Sequence, residues 1–163
     1  MEHREAWQTI NNWLGQADWR WARNDLWDSF RLQGRISPMH QALSAIFAVV
    51  GAAPPVAASV EVDLEEDSYE TTGFDATLWT DELVVRALRG GGDDAPVISV
   101  MPRASLEGFE VLRAPVVTTS GFESRDDRVE LRLTYPDRVL TLTQQRSPNL
   151  AELIPSFVRD LQA

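Results

Sequence analysis

Between Gly73 and Arg89 the chain reads GFDATLWTDELVVRALR, two alternating runs placed on either side of a polar Thr80-Asp81-Glu82 triplet. Side chains in a strand alternate between faces, so Phe74, Ala76 and Leu78 share one face of a first strand, and Leu83, Val85 and Ala87 share one face of a second. The stretch predicts an antiparallel hairpin that opens a β-domain.

The rest of the chain extends this pattern. Val60, Val62 and Leu64 alternate with Ser59, Glu61 and Asp63, which predicts a strand over 57–65. The acid-rich run DLEEDSYE that follows reads as a solvated strand end and loop; it lacks the spacing and internal glycine of a calcium loop. Gly90-Gly91-Gly92-Asp93-Asp94 reads as a polar loop, and its aspartates would repel a phosphate. Further strands are expected over 97–101, 108–113, 116–122, 129–135 and 139–144, with turns at 102–106, Asp126-Asp127 and Pro136-Asp137. Ser147-Pro148 then announces a helix, whose Leu150, Leu153, Ile154, Phe157, Val158 and Leu161 form one apolar stripe around an internal Pro155.

Upstream of the strands the pattern is helical. Trp7, Ile10, Leu14, Ala17 and Trp21 follow steps of three and four, and Trp19, Ala22, Leu26 and Phe30 form a second stripe of different phase. Gly15 and Asp18 suggest a break between two helices, with Asp18 as the second N-cap. Ser37-Pro38 starts another helix with Met39, Leu43, Ile46, Phe47 and Val50 on one face, stopped near Gly51 by Gly-Ala-Ala-Pro-Pro. The expected organisation is a helical extension over 1–50, a linker over 51–56 and an antiparallel β-domain with a C-terminal helix over 57–163.

A chain of 163 residues suits one domain with such an extension. It contains no cysteine, which removes disulfides, zinc–thiolate sites and cysteine nucleophiles. The N-terminus lacks the order of a signal peptide and no apolar run nears the ~20 residues of a spanning helix, so a cytoplasmic protein is expected. A formal net charge of -10 argues against nucleic acid and anionic membranes as partners. All of its strongly basic residues are arginine, a bias that a GC-rich coding sequence accounts for.

Seven or so short antiparallel strands closed by one C-terminal amphipathic helix resemble a bacterial pleckstrin-homology-like (PH-like) domain. The resemblance covers about residues 72–162 and is carried by ATLWTDELVVRAL, similar to that family's first hairpin, and VISVMPRASLEGFEVL, similar to its next strand, turn and partner strand. It implies an α+β fold with a ~7-stranded sheet or barrel corked by the helix, and a loop end or sheet edge that binds lipid headgroups, peptides or proteins. The first hairpin loop has no basic cluster here, so lipid-headgroup binding is not expected.

The inventory for catalysis is thin. His3 lies at a terminus and His40 in the solvent-facing first turn of a helix, and no nucleotide, hydrolase or metalloprotease motif occurs. No enzyme activity, cofactor or metal is expected. The tryptophans stand out instead, since tryptophan is common both in small cores and at interface hot spots. Trp7, Trp19 and Trp21 read as packing residues, and Trp13 and Trp27, off the main stripes, as protein contacts. Trp79, opposite Phe74, Ala76 and Leu78, marks a second hairpin face as a dock for the Trp-rich helices. The reading is a non-enzymatic interaction or scaffolding module that binds a protein or itself, with an acidic immunity- or antitoxin-type inhibitor of a basic partner as the alternative.

Overall fold

The computed structural model describes residues 3–22, 34, 36–65, 68–90, 95–114, 117–118, 121–122, 129–144, 147 and 150–163. The chain is α+β and divides into two compact units, Met1–Met101 and Pro102–Ala163.

In the first unit, α1 (His3–Ala17) and α2 (Pro38–Val50) precede β1 (Ala57–Glu65), β2 (Ser68–Trp79), β3 (Leu83–Arg89) and β4 (Val97–Pro102). Helix α1 buries Ala6, Ile10, Leu14 and Ala17, the three-and-four spacing legible in the sequence. The chain then enters a turn, and the second helix expected from Asp18 onward is absent over residues 18–22; its continuation lies outside the described residues. The start of α2 is the expected one: Ser37 Oγ accepts from the His40 amide at 3.0 Å and Pro38 occupies the first turn. Its end is equally local. Gly51 has φ of 58°, a conformation that disfavours a Cβ, and its N–H donates to the Phe47 carbonyl at 2.8 Å.

The four strands form an antiparallel meander in the order β1-β2-β3-β4. Ala58, Leu78 and Val85 lie opposite one another, as do Val60, Ala76 and Ala87, and Val62 with Phe74. These eight residues are buried in one cluster with Ile10, Leu14, Trp21, Met39, Leu43 and Ile46. A sheet with one apolar face must cover it, and the stripes of α1 and α2 supply the cover. Helices α1 and α2 are therefore a layer of the first unit, which extends to Met101. The 51–56 segment joins the ladder itself, the Val56 amide donating to the Trp79 carbonyl at 2.8 Å. The β2–β3 turn is closed by Thr80, whose N–H donates to the Leu83 carbonyl at 2.9 Å while its Oγ1 accepts from the Leu83 amide at 3.1 Å.

The second unit begins with a 3-10 turn (Arg103–Ser105). It continues through β5 (Gly108–Arg113), β6 (Val117–Thr118), β7 (Gly121–Phe122), β8 (Glu130–Tyr135) and β9 (Arg138–Thr143) to α3 (Leu150–Gln162). Strands β5, β8 and β9 form a three-stranded antiparallel sheet in that order, and among the described residues β6 pairs with β7. Of the single strand expected over 116–122, the described residues form two paired two-residue strands, β6 and β7. Strand β8 keeps the strict alternation read from its sequence, with Leu131, Leu133 and Tyr135 buried. Helix α3 buries Leu150, Leu153 and Phe157, the last with its ring centroid 6.3 Å from that of Phe109. Arg103, 4% exposed, places Nε 2.8 Å from Asp160 Oδ2 and Nη2 2.7 Å from Ser156 Oγ, and its guanidinium lies 5.4 Å from the Phe157 ring centroid.

The expectation of one closed sheet is corrected. The four-stranded and three-stranded sheets are open, and within the second unit α3 packs on the 3-10 turn and β5. Pro102 lacks an N–H for further pairing at the end of β4, and the tight turn after it redirects the chain before β5.

Candidate functional site

Three cross-strand rows follow one another in the first sheet: Glu61 with Asp75 and Leu88, Val62 with Phe74 and Arg89, and Asp63 with Gly73. Together with Gly90 and with Arg20 from the turn after α1, they line a recess of about 330 Å³. Alternation explains its make-up. Val62 and Phe74 belong to the buried face, whereas Glu61, Asp75 and Leu88 project from the other.

Arg20 is placed by Asp18. The Asp18 carboxylate receives the Arg20 guanidinium at 2.6 Å and 2.9 Å, the Arg20 amide at 3.0 Å and the Val62 amide at 3.2 Å. Burial disfavours the charged carboxylate, but the hydrogen bonds from Arg20 and Val62 outweigh it and hold the Asp18 carboxyl below the usual carboxylate range. Arg20 is held above its ordinary value by the hydrogen bond to Asp18, with Glu61 and Asp63 adding attraction. On the projecting face Asp75 is bidentate to Arg86, with Nε at 2.8 Å. Glu61 and Asp63 are exposed, and Arg89 is 4% exposed.

The tryptophans distribute differently from the expectation. Trp13 is half-buried and packs against the core cluster. Trp27 lies outside the described residues. Trp79 is fully buried, on the face opposite the one that α1 and α2 cover; the helices dock on the Phe74, Ala76 and Leu78 face, and the docking role expected of the Trp79 face is corrected. Trp21 is fully buried, donating from Nε1 to Asn11 Oδ1 at 3.2 Å and meeting Phe74 edge-on at 5.3 Å. Trp7 is half-buried with its ring 5.8 Å from that of the exposed His40. Among the described residues the exposed indole is Trp19, read from the sequence as a packing residue, at 68%. It sits beside Arg20, at the turn that lines the recess.

Arg20, Asp75 and Arg89 were not singled out by sequence reasoning, and Trp19 was read as a packing residue. The alternation of Glu61 and Asp63 with Val60 and Val62 does place them on the solvated side of β1, but nothing local brings Arg20 to them. Chemically the recess can bind and orient. Its lining among the described residues holds no histidine, serine or threonine. No group of three or more histidine, aspartate or glutamate side chains among the described residues is placed to hold a metal ion. No helix among the described residues is long and apolar enough to cross a membrane.

Charge is divided unequally between the units. Residues 1–101 carry sixteen acidic residues against seven arginines, a net of -9, and residues 102–163 carry nine against eight, a net of -1. Comparison with known proteins finds no family model, no curated protein and no solved structure that matches the chain.

Proposed function

We propose that the chain is a non-enzymatic, cytoplasmic protein-interaction module whose first unit receives a basic protein. The observation that carries this reading is Trp19. A 68%-exposed indole stands next to a recess bearing the carboxylates of Glu61, Asp63 and Asp75, in a unit of net charge -9. Exposed tryptophan is an anchor of interface hot spots, and an excess of carboxylates on the same unit steers a cationic partner toward it. We further assign the chain a PH-like architecture. Support comes from the order of elements, a four-stranded antiparallel meander, then three antiparallel strands and a C-terminal amphipathic helix. A protein partner suits this surface better than a lipid headgroup, since the recess carboxylates oppose phosphate.

Affinity purification from the native cell with wild-type protein and Trp19→Ala tests the reading. A basic protein recovered by the wild type and lost with Trp19→Ala, at unchanged thermal stability, supports it. A recovered set that ignores the substitution overturns the site. The charge asymmetry also favours a second reading, an inhibitor of a basic enzyme. There the same partner would lose its own activity on binding, and association would slow steeply with salt.

A further inference from the structure

The recess owes its space to two residues without side chains. Gly73 pairs with Asp63 and lies two positions before Asp75, so it belongs to the face from which Glu61, Asp75 and Leu88 project. Gly90 follows Arg89 at the end of β3, and a Cβ added there would meet no atom within 4 Å. Both glycines line the recess, with Asp63 of β1 on one side and the 42%-exposed Leu88 of β3 on the other. The charged groups of the lining are unequally available. Asp75 is bonded to Arg86, Arg20 is held through Nε and Nη2 by Asp18, and Arg89 is buried. The exposed charged side chains of the lining are Glu61 and Asp63.

We infer that the recess receives one long cationic side chain of the partner, an arginine or lysine, with its stem along Leu88 over Gly73 and Gly90 and its charged head at Asp63 and Glu61. An inorganic cation would leave Leu88 and the glycine backbone uncovered. An arginine or lysine brings methylenes for these and a charge for the carboxylates, as such side chains do when they lay an apolar stem along a surface. An anion would meet the two exposed carboxylates first, and the arginines of the lining are tied or buried. This inference rests on the reading that the first unit receives a basic protein.

The probe is N-acetyl-arginine amide, titrated into the nitrogen-15-labelled full chain and followed by amide chemical shifts. Its neutral isostere N-acetyl-citrulline amide and the anionic N-acetyl-glutamate amide serve as controls. The arginine derivative should saturate shifts at Asp63, Gly73 and Gly90 with a Kd of about a millimolar, and citrulline should bind at least about fivefold more weakly. Asp63→Asn should weaken the arginine derivative about two- to fivefold, the range for an exposed ion pair. Gly90→Leu should abolish the shifts with every charge in place, and its thermal midpoint checks the fold; if that midpoint falls, Asp63→Asn, at an exposed position, carries the test. Absence of saturable shifts, equal binding of citrulline, preference for glutamate, or binding that ignores both substitutions overturns the inference. In purification from the native cell, a basic partner that is lost with Trp19→Ala but kept with Gly90→Leu overturns the side-chain pocket and leaves the basic-partner reading standing. Recovered partners without basic bias overturn both.

Discussion

Asp18 accepts a hydrogen bond from the amide of Val62, at 3.2 Å and forty-four residues further along the chain. The same carboxylate holds Arg20, so one buried group ties the turn after α1 to the strand it covers. Asp18→Asn removes the charge from both contacts and should cost about 1.5–3 kcal/mol, the range for hydrogen bonds to charged groups. Chemical denaturation followed by tryptophan fluorescence checks this.

The same group sets a pH dependence. The Asp18 carboxyl lies below its ordinary 3.8 in the folded chain, so the unfolded chain takes up the proton first. Its contribution is fully present above pH ~3.8 and is lost as pH falls from there through the lowered folded value. The acid limb of the stability profile should therefore be shallower in Asp18→Asn than in the wild type below about pH 4, and identical limbs would refute the assignment.

Two tryptophans two residues apart should behave oppositely. Trp21 is fully buried with a paired indole N–H, and Trp21→Ala should cost about 3–5 kcal/mol. Trp19→Ala, at an exposed position, should stay within about 0.5 kcal/mol of the wild type. Paired urea titrations measure the contrast.

In the second unit, Arg103 is the buried partner of Asp160 and Ser156 and lies over Phe157. Arg103→Ala leaves Asp160, whose side chain is 15% exposed, without this cation, and should destabilise the unit by about 2–4 kcal/mol. Arg103→Lys should recover only part of the loss, since an ammonium cannot bond Asp160 and Ser156 with the same planar fork. Thermal melts by circular dichroism would show the order wild type, Lys, Ala.

At the ends of α2 the expected effects are smaller. Ser37→Ala removes the cap on the His40 amide and should cost about 1 kcal/mol. Gly51→Ala meets no atom within 4 Å, so its cost of about 1–2 kcal/mol is conformational, arising from the positive φ. Melting of the two variants gives both values.

Legibility in the sequence followed the range of the interactions. The Ser37 cap, the Gly51 stop, the Thr80 turn and the alternation of β8 depend on neighbours a few residues away, and each is where periodicity and turn chemistry place it. The partition into two sheets depends on which strand β4 and β5 choose as partner, a long-range matter that alternation does not encode. Trp19 was misplaced for a related reason. Continuing the helical period past Ala17 assumes that the helix continues, whereas the chain turns at Asp18 and gains its anchor from Val62. Trp79 alternated correctly away from Phe74, Ala76 and Leu78, but alternation alone does not say which of two sheet faces receives the helices.

The division after Met101 has a spectroscopic corollary. All six tryptophans precede it, and the second unit has Tyr135 as its one tyrosine. Indole emission excited at the red edge of its band is consequently a private signal of the helix-covered sheet, whereas far-ultraviolet dichroism sums over both units. Superimposed transitions from the two probes would mean that the halves melt as one cooperative body, and a split between them would give the stability of each half from a single unlabelled sample.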